Sequence, residues 1–109
     1  MKHFCIYPKE GFFLQRRYDV ICVGQLCADI LVRPVNEKIF TVDSTPVDSM
    51  LLWPGGDAQN ESCVMAKLGM KTALVGKIGH DIWGDAIVDI VTKSGVDLSH
   101  VVRDDTVNT

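Results

Sequence analysis

At 109 residues the chain is long enough for one small domain at most. Apolar residues make up 47% and charged residues 23%, a balance that excludes disordered and fibrous classes. Acidic residues outnumber basic ones 14 to 11, for a net charge of −3. That leaves no electrostatic footprint for nucleic acid or an anionic membrane, and the apolar runs are too short to span a bilayer.

The chain opens with MKHFCIYPKEGFFLQRR, in which Pro8, Lys9 and Glu10 interrupt the apolar core that a secretory signal needs. Residues 1–17 are therefore expected to be an extension outside the first core strand. YDVICVG, residues 18–24, is β-branched and continuous, which predicts a strand covered on both faces. ADILVRPV is also extended, since Pro34 argues against a helix. NEKIFTVDSTPVDSMLLW, residues 36–53, is split by the turn-like DSTP and predicts two short strands of an exposed ribbon.

From Ala58 the period changes to helical, with apolar residues at 58, 64, 65 and 68 and a stop at Gly69. KTALVGKIG predicts another buried strand. Asp81 is placed to cap a helix from about Ile82 to Ser94, whose apolar stripe is 82, 86, 87, 90 and 91. Asp85 and Lys93 suit the two ends of its dipole, and Gly95 closes it. A short extended piece around Val101 and Val102 follows. Strand, helix and strand in this order point to an α/β fold with a mostly parallel sheet, flanking helices and a small β ribbon. Two or three core strands make an incomplete sheet, and RDDTVNT ends in polar residues. The chain is thus expected to be the front part of something longer, with uncovered strand faces and poor solubility unless chains pair.

Cys5, Cys22, Cys27 and Cys63 match no zinc spacing, and His3, His80 and His100 do not sit where partner ligands would, so no metal site is expected. Cys22 and Cys63 fall at apolar positions and are expected to be buried, reduced thiols of a cytoplasmic protein. Two nucleotide motifs fail. VICVG is followed by QLCADI rather than a G-x-G-x-x-G turn and helix, and GMKTALVGKI has the wrong spacing for a P-loop, with Ile78 in place of the Ser or Thr.

One combination points to a ligand. Asp29 lies just beyond the first strand, where open α/β sheets bind their ligands, and a carboxylate there accepts hydrogen bonds from neighbouring hydroxyls. Gly55 and Gly56 allow close backbone approach before a helix start. Asn60 adds a donor and an acceptor. Asp57 adds acceptor capacity or caps the helix. Two carboxylates would repel a phosphate, so the set suits a neutral, hydroxyl-rich ligand. Leu51 and Trp53 give the ribbon an apolar face suited to covering that ligand or to meeting a second chain.

GGDAQNESCVMAKLGMKTALVGKIGHDIWGD resembles the first characteristic motif of the ribokinase-like (PfkB) carbohydrate kinases, through Gly55-Gly56, Asn60, AKLG at 66–69 and VGKIGHDIWG at 75–84. VICVGQLCADI resembles the family's opening strand, with its sugar-binding aspartate at Asp29, and GVDLSHV at 95–101 matches the segment after the second helix. The resemblance covers roughly residues 19–109. It implies ATP-dependent phosphorylation of a hydroxymethyl group on a sugar or nucleoside. Asp29, Gly56 and Asn60 would contact sugar hydroxyls, and a lid at about 33–53, inserted in a partial ribokinase-like domain over 18–109, would exclude water and mediate a homodimer. Cys27 stands where some members carry a hydrogen-bonding Asn.

The family's second motif, D-T-x-G-A-G-D, brings the catalytic base and the phosphate-stabilising helix start, and nothing here resembles it. No catalytic residue is therefore expected in this chain, and ATP and Mg2+ are expected to serve the full-length family without binding these residues alone. Two other readings stand beside this one: a non-catalytic sugar-binding or dimerisation module, and a Rossmann-type oxidoreductase, which the missing glycine fingerprint disfavours.

Overall fold

The structure, a computed structural model, describes residues 16–109; of the expected extension, residues 1–15 with His3 and Cys5 lie outside the described residues. In chain order the elements are β1 (Val20–Val23), β2 (Cys27–Arg33), a 3-10 turn (Glu37–Phe40), β3 (Ser49–Gly55), α1 (Asp57–Lys67), β4 (Thr72–Gly79), α2 (Ile82–Lys93) and β5 (Asp97–Asp104). β1, β4 and β5 form a parallel sheet with β4 in the centre, and β2 and β3 form a separate antiparallel ribbon. No described helix is long and apolar enough to cross a membrane.

α1 and α2 pack on one face of the sheet, as two parallel crossovers of the usual right hand would place them. The core lies between: Cys22, Leu74 and Ile78 from the strands meet Ala58 of α1 and Ile87 and Val91 of α2. Alternation sends the next residues to the other side, which carries no helix among the described residues. Ile21 is 57% exposed, Val23 72% and Val102 56%. Among the described residues the first strand is therefore covered on one face, not on the two expected. A continuous apolar strand requires something on both faces, and the described elements supply only one.

The ribbon also differs from expectation. Its strands are 27–33 and 49–55, while NEKIF folds into the 3-10 turn. Asn36 begins that turn by accepting a 3.0 Å hydrogen bond from the Lys38 N–H, a local bond that competes with a strand ladder. The VV piece becomes a full strand, β5.

In α1 the apolar positions marked the buried face only in part, with Ala58 buried and Met65 half-buried. Val64 and Leu68 are exposed, whereas Ala58, Gln59 and Ser62 are buried. Ser62 returns its hydroxyl to the Gln59 carbonyl, but the Gln59 amide has no hydrogen-bond partner among the described residues. α2 follows its stripe more closely, burying Ile87 and Val91, although Ile82 at its start is exposed. Asp81 caps it as expected, accepting from the Gly84 N–H at 2.7 Å. Cys22 is buried, and burial pushes its thiol up; Cys63 is only half-buried, at the margin of the core.

Side chains tie the sheet at both ends. At the amino end Tyr18 donates its hydroxyl to Asp97 across the central strand, and Asp19 accepts from the Lys71 N–H at 2.9 Å. At the carboxyl end Lys77 pairs with Asp104 at 2.7 Å, and Asp81 accepts from the Thr109 N–H at 2.8 Å. The Tyr18 hydroxyl holds Asp97 well below the usual carboxylate range, and the Lys77 ammonium does the same for Asp104. Backbone N–H groups of Thr109 and Gly84 lower Asp81.

All three carboxyls are more acidic folded than unfolded. Each therefore contributes stability that is present above about pH 4 and lost as pH falls below it. Urea unfolding from pH 7 to pH 2.5 should show this loss only on the acid side, and Asp97→Asn with Asp104→Asn should make it shallower. An acid limb unchanged in that double variant would contradict the assignment. Leu74 is fully buried in the centre of the core, so Leu74→Ala should lower unfolding free energy by about 2–5 kcal/mol in the same assay.

Candidate functional site

The carboxyl end of β1 runs through Gly24, Gln25 and Leu26 into β2. Leu26 is buried and lies over Gly76 of β4, where a Cβ would overlap its side chain and the Gly24 carbonyl. This contact seats the base of the ribbon on the sheet. The ribbon register pairs Cys27 with Gly55, Asp29 with Trp53 and Leu31 with Leu51. Paired residues share a face in an antiparallel ribbon, so Cys27, Asp29 and Leu31 lie on one side with Gly55, Trp53 and Leu51.

Asp29 is exposed, and its carboxylate lies flat against Gly55, where a Cβ would collide with all three carboxylate atoms. Among the described residues its one side-chain hydrogen bond is from the Cys27 thiol, at 3.8 Å. Burial is the main cause that pushes the Cys27 thiol up, with the Asp29 charge adding to it. The carboxylate thus rests over Gly55 with one weak S–H contact, and most of its acceptor capacity stays open.

Gly56 follows with φ +94, and a Cβ there would strike the Gln25 carbonyl. It is the N-cap of α1 and has no side-chain cap bond. Asp57 is consequently the first helical residue, exposed beside the positive helix end, and does not cap the helix. Asn60 is one turn further and exposed, with its N–H closing the first helical bond to the Gly56 carbonyl at 3.0 Å. It lines a hollow of about 380 Å³ with Trp53, Pro54, Val64 and Ile90. Leu51 lines a different hollow, of about 430 Å³, with Leu31, Arg33 and Met50.

The structure therefore gathers Asp29, Gly55 and Trp53 at the ribbon base, with Gly56 and Asp57 next in the chain. Asn60 shares its hollow with Trp53 but not with Asp29, and Leu51 stands further out on the ribbon. Sequence reasoning missed Gln25, Leu26 and Gly76, which position the group by backbone and apolar contact. Only the lone Gly76 inside a strand pattern signalled a close approach.

A parallel sheet with its helices on one face and an antiparallel ribbon rising from the strand carboxyl ends is a ribokinase-like α/β fold. The chain belongs to the pfkB family carbohydrate kinases, whose sequence profile matches residues 17–109. It is 34% identical over 94 residues to a 5-dehydro-2-deoxygluconokinase of Geobacillus thermodenitrificans, covering 83% of this chain and 25% of that relative. Among solved structures it is similar to the fructokinase from Xylella fastidiosa, with a TM-score of 0.69 and 29% identity over 83% of this chain and 26% of that one. It is also similar to Arabidopsis thaliana ribokinase complexed with ribose and ATP, with a TM-score of 0.64 and 28% identity over 77% and 27% of the two chains. The chain spans about a quarter of the length of the curated relatives it matches.

Gly56 holds a backbone conformation that L-residues rarely adopt and has a carbonyl where its side chain would stand. Gly56→Ala should therefore cost about 1–3 kcal/mol in urea unfolding. The same change at Gly95, which also has positive φ but open space around it, should cost less.

Proposed function

We propose that this chain is the substrate-binding and lid portion of an ATP-dependent carbohydrate kinase that phosphorylates a hydroxymethyl group of a sugar or nucleoside. The observation that carries the reading is the Asp29 carboxylate, held flat on Gly55 at the mouth of the sheet with its acceptor capacity open. A carboxylate with its acceptor sites open can take hydrogen bonds from two neighbouring hydroxyls. Asn60 adds a donor and an acceptor, Gly55 and Gly56 let a sugar approach the backbone, and Asp57 supplies a further acceptor at the helix start.

Leu51 and Trp53 form the lid's apolar face. The lid's task is exclusion of water, so that a phosphoryl group passes to sugar instead of solvent. The opposite ribbon face is apolar as well, with Ile30 and Met50 exposed, which supports a homodimer through the ribbon. ATP, with Mg2+, would supply the transferred phosphoryl group. The motif that carries the family's catalytic base has no counterpart in these residues, and we infer that the chain alone does not turn over. The names of the relatives point to a keto-deoxy sugar acid, fructose or ribose as substrate.

The test is thermal unfolding with fructose, 5-dehydro-2-deoxygluconate, ribose and adenosine. A true substrate at about one hundred times its dissociation constant should stabilise the chain by roughly 2.7 kcal/mol. Asp29→Asn should abolish that shift without changing the unliganded transition. A shift that survives Asp29→Asn would sink the site. Binding to the 109 residues together with no ATP-dependent turnover in any longer form of the protein would favour the non-catalytic module instead.

A further inference from the structure

Cys27 and Asp29 are two residues apart in β2 and project to the same side, with the sulfur 3.8 Å from a carboxylate oxygen. Across the ribbon Cys27 faces Gly55, which brings no side chain and lies against the same carboxylate. A half-buried sulfur and an open carboxylate thus border a single backbone-floored surface. We propose that Cys27 is a specificity-determining residue of this site, selecting a sugar that presents a methylene, not a hydroxyl, beside the hydroxyls bound by Asp29. The inference rests on the reading of Asp29 as the sugar-binding carboxylate.

The two groups treat a ligand differently. A carboxylate is a strong acceptor, whereas a thiol is a weak donor and a weak acceptor. A sugar hydroxyl pressed against the sulfur exchanges its hydrogen bonds to water for a poor one, and a buried polar group without a good partner is costly. A methylene in the same place leaves nothing unpaired and gains dispersion contact with a polarizable atom. Gly55, paired opposite Cys27, adds no side-chain partner for the hydroxyl. Burial, with the Asp29 charge beside it, pushes the thiol up, away from thiolate character.

The test is calorimetric titration of the chain with a matched pair, 5-dehydro-2-deoxygluconate and its 2-hydroxy counterpart 5-dehydrogluconate. The unsubstituted chain should prefer the deoxy compound by about tenfold. Cys27→Ser, which puts a full donor and acceptor in the same position, should bring that ratio to about one or invert it. Cys27→Ala, which removes the sulfur without adding a polar group, should keep the deoxy preference. Circular dichroism reports whether each variant folds, and Cys27→Asn serves as the second polar variant.

Equal affinity of the unsubstituted chain for the two compounds, or a ratio unchanged by a folded polar variant, would overturn the role of Cys27 and leave the sugar site standing. Binding of neither compound, here or in the thermal panel, would remove the sugar site and this inference together.

Discussion

The geometry of the site depends on a contact in which one partner has no side chain. Asp29 can lie across the ribbon only because Gly55 opposite offers bare backbone. The same device recurs twice below it. Gly76 leaves room for Leu26, which anchors the turn into β2, and Gly56 leaves room for the Gln25 carbonyl, which fixes the entry to α1. Three glycines therefore let strand, ribbon and helix approach to backbone distance around one carboxylate. A side chain at Gly55 would displace the Asp29 carboxylate, and one at Gly56 or Gly76 would press on the backbone carbonyl of Gln25 or Gly24.

What surrounds this junction is less evenly stabilised. The side of the sheet that meets α1 and α2 is a close-packed core, whereas the other side shows Ile21, Val23 and Val102 to solvent. α1 buries the Gln59 amide with no hydrogen-bond partner among the described residues, while Val64 and the C-cap Leu68 are exposed. Its hold on the sheet comes from Ala58, Ala66 and Cys63 at the core and from the backbone around Gly56. The carboxylate ties at the two ends of the sheet, Asp97 with Tyr18 and Asp104 with Lys77, clamp strands whose faces are only half covered.

The parts of this arrangement that were legible in the sequence are those with a local cause. β4 was legible because its run is apolar and bounded by glycine, and α2 because Asp81, Gly95 and a clean stripe mark its ends and its face. Asp29, Gly55, Gly56 and Asn60 could be picked out as candidates from their places beside predicted elements. The buried face of α1 was legible only in part, since its central position is a glutamine. The ribbon's first strand was extended by pattern, but the fold of NEKIF depends on one Asn36 bond that no periodicity records. Asp57 was legible as an acid at a helix start, but whether it or Gly56 would be the cap was set by the glycine's φ of +94. The seating of Leu26 on Gly76 joins residues far apart in the chain, and only the folded sheet brings them together.

The ribbon also behaves as a reading frame. Its strands are joined by residues 34–48, a long and exposed connection that does little to fix which residue faces which. Length changes within that connection leave the pairing of Asp29 with Trp53 intact. One residue gained or lost between Cys27 and Arg33, or between Ser49 and Gly55, shifts the pairing by a single step. The pleat then turns either the carboxylate or its glycine partner to the opposite face. A change of length is accordingly absorbed by the loop, whereas within the two strands on either side of it a change of number disturbs the site more than a change of side chain does.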